Sequence, residues 1–399
     1  MTTITVVVAA SALALSGCSS SKKKGGGGGL GGKTSGGNTS TQTYKIGFIG
    51  ALSGPNAQLG INERQGADVA IAQANSTGKY KYKFVLVPQD SEGDPAKAPA
   101  AATALISNPD IVATIGPAFS GESAAVDPSF CSASPPMPIV TASASRGDLQ
   151  TKGFTCWHRI IPNDNVEGSQ GADWLARTGA KKVFVLNDLS AYGQGVATTM
   201  SDTLKQKKVA VITKGVDGVT TKNYNPIAQT IAASGADAIF YGGYAAASAL
   251  LAKALVAAGF KGRTVTGNGG KSSDFTKDAG TAGDGWYFTC GCQDATIAPA
   301  AKDFTAAYKT KWKQDPSTYS PEAFDAANLV MDSIQKAAGS GTATRQSVLT
   351  ALNAADFEGI TTHIKFEKNG ELSTQNLIVN LFKQDKGAIV GVGDINKQN

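Results

Sequence analysis

The chain has 399 residues, with 37 basic and 31 acidic side chains and a formal net charge of +6. Four of the lysines lie within residues 1–43, which contain no acid, so residues 44–399 carry 33 basic against 31 acidic side chains. This near balance implies no basic face of the kind that nucleic-acid binding uses, and no nucleic-acid partner is expected. A body of this length exceeds one ordinary hydrophobic core and therefore predicts two lobes.

Residues 1–17 are predicted to form a signal peptide. The run from Ile4 to Leu15 is apolar or small; it is shorter than the ~20 residues of a membrane-spanning helix but suits the apolar region of a secretory signal. No Lys or Arg precedes this run, which is atypical. The sequence LSGC, ending at Cys18, resembles the bacterial lipobox, which implies a lipid on the Cys18 thiol. A cleaved signal peptide followed by an incidental cysteine is the alternative.

Residues 18–43 are predicted to be a flexible tether. Nine of the thirteen residues from Gly25 to Gly37 are glycine, a composition with no side chains to bury. Lys22 to Lys24 would lie beside lipid headgroups, where each basic residue contributes about 1 kcal/mol. The opening therefore predicts an extracytoplasmic body anchored to the cell membrane as a lipoprotein.

From Tyr44 onward, apolar β-branched runs alternate with alanine-rich helical patterns. The predicted strands are YKIGFIGAL, KFVLVPQD, IVATIGP and PIVTAS, and then, in a second series, KKVFVLND, VAVIT, DAIFYGGY and RTVTG. Helices are predicted over 95–108, 193–207, 226–234 and 245–258, with another closed by Gly78 and one opened near Ser120. Such repetition predicts an α/β fold with two doubly wound lobes, each a parallel sheet covered on both faces.

The C-terminal part of the chain is predicted to differ. Residues 298–356 have a mostly helical pattern. Two hairpins are expected beyond them, with turns at Asn369-Gly370 and at Lys386-Gly387.

Four cysteines follow Cys18, and an even number in an exported chain favours disulfides. Three pairings are possible. The pairs Cys131–Cys156 and, less firmly, Cys290–Cys292 are favoured because each couples neighbours within one expected lobe. Zinc ligation is the alternative, although no Cys-x-x-Cys spacing supports it.

Catalytic motifs are missing from the body. His158 and His363 are its two histidines, and both are interpreted as structural. The sequence VTGNGGKSSD fails as a phosphate loop because Val265 stands where the first glycine is required, and GVGDIN fails as a dinucleotide fingerprint at Asn396. The chain is therefore not expected to be an enzyme, and no cofactor or metal is expected.

Hydroxyl groups follow two neighbouring strands of the first series. In an open α/β sheet, ligands bind beyond the carboxyl ends of the strands. Ser120 is predicted to be the N-cap of a helix whose free N–H groups could hold a carboxylate. Ser143 and Ser145 follow the next strand, where hydroxyl and peptide groups can bind an anionic oxygen or an ammonium. Helix capping alone is the alternative, but two such clusters favour a ligand site.

The second series offers Asp164, Tyr192 and Tyr244. Each tyrosine comes between the end of a strand and the start of a helix, and Tyr244 follows two glycines that permit close approach to the backbone. A tyrosine supplies a flat apolar wall and one hydroxyl, which suits a small organic ligand. Simple packing of any one tyrosine against its neighbours is the alternative.

At this point the sequence resembles the bacterial leucine/isoleucine/valine-binding proteins, which have the periplasmic binding protein type I fold. The resemblance begins at KIGFIGALSGPNAQLGINERQGADVAI and continues through IGPAFSGES, RIIPNDNVEGSQGA, NDLSAYGQG and FYGGYAAA. It covers nearly all of residues 44–399. The resemblance implies a solute-binding protein of an ABC importer, with permease and ATPase partners, whose lobes close around an amino acid.

The resemblance also implies boundaries and roles for individual residues. Lobe 1 would comprise 44–163 with 293–370, and lobe 2 would comprise 164–292 with 371–399. The hinge would have three segments, near Asn163, Cys292 and Gly370. The implied ligand-binding residues are Ser120 with Ser143, Ala144 and Ser145 for the ligand carboxylate, Asp164 for the amino group, and Tyr192 and Tyr244 closing over the ligand.

Two departures from the family pattern concern the ligand. Leu59 stands where the family has an aromatic residue, and Gly269 stands where it has the acidic partner of the ligand ammonium. Without that acid an ammonium loses a hydrogen bond worth about 1.5–3 kcal/mol. Asp164 could compensate, or the ligand could be an amide, a urea-like compound or a small carboxylic acid. A ligand sensor on the same fold is a further alternative to transport.

Overall fold

The computed structural model describes residues 41–339, 341–373 and 377–399. The predicted signal peptide, the lipidation site Cys18 and nearly all of the predicted tether lie outside these residues. None of the described helices is both long and apolar enough to cross a membrane.

The first sheet has five strands in the order β2-β1-β3-β4-β5, all parallel. They are β1 (Thr43–Gly50), β2 (Lys83–Asp90), β3 (Ile111–Ile115), β4 (Ile139–Thr141) and β5 (Trp157–Arg159). Every residue of β3, β4 and β5 is buried, because elements cover both faces of the sheet.

The second sheet has seven described strands. They are β6 (Lys182–Asn187), β7 (Ala210–Gly215), β8 (Ala238–Gly242), β9 (Arg263–Thr266) and β10 (Tyr287–Cys290), then β13 (Asn380–Asp385) and β14 (Ala388–Asp394). The order is β14-β13-β10-β9-β8-β6-β7, and only the pairings of β13 are antiparallel. A separate antiparallel pair is formed by β11 (Asp356–Glu358) and β12 (His363–Lys365), which come between β10 and β13 in the chain.

Eleven α-helices connect the described strands. They are α1 (Ala57–Thr77), α2 (Ala98–Ile106), α3 (Ser120–Ser132), α4 (Asp164–Arg177), α5 (Ala191–Gln206), α6 (Asn225–Ala233), α7 (Ala245–Ala257), α8 (Ser273–Ala279), α9 (Lys302–Trp312), α10 (Ser320–Ala338) and α11 (Arg345–Asn353). The predicted α/β architecture with two strand–helix series is confirmed.

After the second series the chain returns to the first sheet. Leu329 and Val330 of α10 share one buried cluster with Ile46 and Phe48 of β1. Helix α10 also lies against α1 so closely that a Cβ at Gly66 would overlap the carbonyl oxygen of Ser320. The first sheet is therefore covered by helices from both ends of the body. The exact lobe boundaries stay a prediction.

Both predicted C-terminal turns are present in the described residues. The turn at Lys386-Gly387 joins β13 to β14. Around Asn369-Gly370 the hairpin is short: Phe366 and Leu372 form an antiparallel bridge, and the Glu367 N–H donates to the Glu371 carbonyl at 2.8 Å, while β12 also pairs with β11.

Both histidines make structural contacts. The His158 ring lies 3.3 Å from the Ile139 carbonyl oxygen and 2.8 Å from Oδ1 of Asn353. His363 Nδ1 lies 2.9 Å from Oε2 of Glu358 in the pair formed by β11 and β12.

The described part of the chain contains two disulfides, Cys131–Cys156 and Cys290–Cys292. The first ties the end of α3 to the residue before β5, at the amino ends of the strands of the first sheet. The second lies at the carboxyl end of β10.

Candidate functional site

Residues that follow the carboxyl ends of strands from both sheets surround one small cavity of about 10 Å³. The predicted residues that line it are Leu59, Ser120, Ser143, Ser145, Tyr192, Tyr244 and Gly269. Ala144 and Asp164 are buried beside Ser145, whose carbonyl accepts a 2.7 Å hydrogen bond from the Asp164 N–H, but they do not line the cavity. The structure thus brings the predicted residues of both series to one place.

Ser120 is not the N-cap of α3, so that prediction is wrong. Phe119 occupies the cap position with an extended backbone, and Ser120 is the first helical residue. The Phe119 N–H donates to Oε2 of Glu122 at 2.8 Å, which places a carboxyl at the helix N-terminus. Burial raises the pKa of Glu122 to about 7. The Ser120 hydroxyl, which accepts from the Arg146 N–H at 3.1 Å, keeps its own proton available for a ligand oxygen.

Hydrogen bonds to other protein groups fix the loop after β4. The N–H of Ala144 donates to Oγ1 of Thr141 at 2.9 Å, and Ser143 Oγ lies 2.6 Å from the Ala118 carbonyl and 2.7 Å from Oε1 of Glu63. Burial raises the pKa of Glu63 to about 8, so near neutral pH its carboxyl can donate to Ser143. These donors are occupied by protein partners, whereas the only side-chain contact of the Ser145 hydroxyl that meets hydrogen-bond geometry in the described residues is a long one of 3.4 Å to Nδ2 of Asn268.

Arg159 supports the same loop from β5. Its side chain is fully buried, and Nη1 donates to the carbonyls of Ala144 and Arg146 at 2.9 and 2.8 Å. Its Nε and Nη2 both contact the carboxylate of Glu371. Arg159 therefore fixes the position of the residues on either side of Ser145.

Aromatic rings form one wall of the cavity. Phe119 stacks on Tyr244 with the ring centroids 4.7 Å apart, and Tyr192 lies 5.4 Å from Tyr244. The Tyr192 hydroxyl accepts a hydrogen bond from the Gly269 N–H at 3.2 Å. A Cβ at position 269 would lie 2.7 Å from Cε1 of Tyr192, so the rings fill the space that a larger residue there would need.

Two buried carboxyls of α4, those of Asp164 and Glu167, lie close to the cavity. Glu167 accepts from the Asn268 N–H at 2.9 Å and from the Thr289 hydroxyl at 2.8 Å. Neither oxygen of Asp164 has a hydrogen-bond partner of good geometry among the described residues, although the Ser145 hydroxyl lies close enough to lower its pKa. Burial, and then the neighbouring Glu167, raise the pKa of Asp164 to about 8. An unpartnered buried acid of this kind suits a ligand that donates hydrogen bonds.

Four residues that line the cavity were not predicted: Ala118, Phe119, Asn268 and Tyr319. Asn268 lies in a 3₁₀ turn, and its Nδ2 is 3.4 Å from the Ser145 hydroxyl. This contact links residues of the two strand–helix series. Tyr319 precedes α10 in a left-handed conformation, and its buried hydroxyl has no partner among the described residues. Its place immediately before a helix matches that of Tyr244, and this was the available sequence signal.

The chain is similar to proteins of known function. A family model described as "Periplasmic binding protein" matches residues 43–387. A Leu/Ile/Val-binding protein homolog from Brucella melitensis is 29% identical over 87% of this chain and 93% of its own length.

Solved structures share the fold. A leucine-binding protein from Thermotoga maritima superposes with a TM-score of 0.79 at 22% identity, covering 87% of this chain and 97% of that protein. A branched-chain amino acid transporter substrate-binding protein from Streptococcus pneumoniae, in complex with isoleucine, gives a TM-score of 0.77 at 23% identity, covering 88% of this chain and all of that one, 100%.

Proposed function

The chain belongs to the periplasmic binding protein family, and from that premise we propose that it captures an amino acid of the branched-chain type, or a related small polar solute, for an ABC importer. Family membership confirms the resemblance found in the sequence, and it confirms that the chain is a solute-binding protein and not an enzyme. In this proposal the protein acts outside the cytoplasm, and a lipid on Cys18 holds it at the membrane beside permease and ATPase subunits.

One observation carries the choice of site. Side chains from the two strand–helix series meet at one cavity, with Ser120 and Ser145 on one side and Tyr192 and Tyr244 on the other. A solute held by both sides would favour the closed arrangement, because contacts to both are available only there. The ligand carboxylate would take the Ser120 and Ser145 hydroxyls, and an ammonium would take Asp164.

An amide, a urea-like compound or a small carboxylic acid is the second candidate solute. The observation in its favour is Gly269, which provides no carboxylate and is packed against Tyr192. Asp164, held neutral by its raised pKa, could then accept from or donate to an uncharged amide.

We expect leucine, isoleucine or valine to raise the melting temperature of the full chain in a thermal-shift screen. Ligand at about 100 times its dissociation constant adds roughly 2.7 kcal/mol to the free energy of unfolding. Small amides and monocarboxylates belong in the same screen. If the three amino acids leave the transition unmoved and an amide shifts it, the branched-chain proposal is replaced by the second candidate.

Replacing Ser120 with alanine is expected to weaken binding of the solute found in that screen about 10- to 100-fold, because a hydrogen bond to a charged group contributes about 1.5–3 kcal/mol. Calorimetric titration measures this change. Ser132→Ala is the matched control, since Ser132 lies exposed at the other end of α3. Equal affinity of the Ser120→Ala variant and the wild type would remove the proposed carboxylate contact.

A further inference from the structure

A larger groove adjoins the small cavity. It has a volume of about 690 Å³, against about 10 Å³ for the cavity. A cavity of the smaller size holds about one water molecule, whereas small-molecule sites commonly measure about 300–1,000 Å³. Of the two spaces, the groove is therefore the one large enough to hold most of a solute.

Three chain segments line both spaces. In α1, Leu59 faces the cavity, whereas Gln58 and Asn62 line the groove. After β9, Gly269 lines the cavity and Lys271 lines the groove. Before α10, Tyr319 lines the cavity and Thr318 lines the groove. Each of these three segments therefore contributes residues to both spaces, which places the groove and the cavity side by side.

Lys271 is the distinctive residue of the groove. It is only 7% exposed, and its Nζ donates to the Thr318 hydroxyl at 3.1 Å and lies 4.0 Å from the centroid of the Phe382 ring. No carboxylate of the described residues forms an ion pair with it. Burial lowers the pKa of Lys271 to about 8, which still leaves most of the ammonium charged at neutral pH. The charges of Asp294 and Glu322 oppose this shift without forming an ion pair with Lys271. A buried ammonium whose direct contacts are neutral is costly and is compensated further by an anion.

Asn62 provides a second donor in the same groove. It is 1% exposed, and its Oδ1 accepts from Nε2 of Gln58 at 2.8 Å. Its Nδ2 has no hydrogen-bond partner in the described part of the chain. A ligand oxygen would satisfy this buried donor, and such groups are rarely left unpaired.

The acidic residues of the groove are engaged elsewhere. Asp315 pairs with Lys309 at 2.6 Å. Asp294 accepts from both the N–H and the hydroxyl of Thr296, at 3.0 and 2.5 Å. The groove is lined by Lys271, Lys277 and Lys309 against Asp294 and Asp315, so its net charge is positive by one.

We propose that the solute carries a second anionic oxygen group, such as a side-chain carboxylate, which binds in the groove to the Lys271 ammonium and the Asn62 amide. This inference rests on the proposed function and, within it, selects an acidic small polar solute in place of a branched-chain amino acid. One end of the solute lies at Ser120 and Ser145, and the other passes between Leu59 and Gly269 into the groove. Leu59 and Gly269, the two departures from the family pattern, line the boundary where this longer solute passes.

Glutamate and glutamine provide the test, because they differ only in the charge of the distal group. Calorimetric titration of the full chain is expected to give at least 10-fold tighter binding for glutamate, the ratio expected from one charge-assisted hydrogen bond. In Lys271→Met the ratio should fall below about 2-fold, and in the control Lys277→Met, an exposed lysine of the same groove, it should be kept.

The outcomes separate this inference from the proposed function. If leucine binds and glutamate does not, or if glutamine binds as tightly as glutamate, the inference is overturned and the proposed function stands. If none of the three amino acids binds, the inference is overturned, and the proposed function then depends on the amides and monocarboxylates of the thermal-shift screen. Because glutamate and glutamine are also compared in the wild-type protein, the inference is tested even if Lys271→Met does not fold.

Discussion

Replacing Arg159 with methionine is expected to lower the free energy of unfolding by about 3–5 kcal/mol, the usual effect of removing one partner of a buried ion pair. The guanidinium is fully buried and contacts three groups distant in sequence: the carboxylate of Glu371 and the carbonyls of Ala144 and Arg146. Methionine fills a similar volume but leaves that carboxylate and both carbonyls without their donor.

Chemical denaturation followed by tryptophan fluorescence measures this loss. Arg64→Met is the matched control, since Arg64 is 42% exposed and lies 3.6 Å from Asp68 in a surface pair that contributes at most about 1 kcal/mol. The Arg159 variant should also bind solute more weakly, because the loop that carries Ser145 loses its support. Unfolding curves that coincide for the two variants would show that Arg159 does not hold this loop.

The order of strands and helices could be predicted because each signal is local. The period of apolar residues and breakers such as Gly78 placed α1 and the eight predicted strands to within a few residues of their observed bounds, whereas β5, β10 and α4 were not predicted. The positions of Ser120, Tyr192 and Tyr244 at the ends of strands were sufficient to gather them, because the carboxyl ends of parallel strands meet at one edge of a sheet.

The parts that could not be predicted depend on contacts between distant segments. Nothing in the sequence near Arg159 indicates that it reaches Glu371, 212 positions away. Lys271 was considered only as a possible phosphate-loop lysine, because its burial depends on Thr318 and Phe382. The Ser120 cap prediction was wrong for a local reason: the Glu122 carboxyl accepts from the Phe119 N–H, so Phe119 is the cap and the helix begins one residue earlier than predicted.

Replacing Asp164 with asparagine is expected to stabilise the protein at neutral and higher pH. Burial, with the charge of Glu167, raises the folded-state pKa of Asp164 from 3.8 to about 8. The folded protein therefore binds a proton that the unfolded chain releases, and the free energy of unfolding falls as pH rises from about 4 to about 8. This loss approaches 1.4 kcal/mol per pH unit for one group, or about 4 kcal/mol between pH 4 and 7 as an upper bound. Asparagine has nearly the same shape but does not ionise, so the variant avoids this loss of stability as pH rises.

Thermal and denaturant unfolding of both proteins at several pH values measures the difference. The curves should coincide near pH 4 and separate in favour of Asp164→Asn as pH rises, whereas Asp202→Asn, at an exposed position, should stay parallel to the wild type. Parallel curves for Asp164→Asn would show that this carboxyl is ionised in the folded protein. A separation means that Asp164 is largely protonated at pH 7, so a solute ammonium that pairs with it must displace a proton. Titrations in buffers with different ionisation enthalpies would then detect proton release for an amino acid and none for a neutral amide.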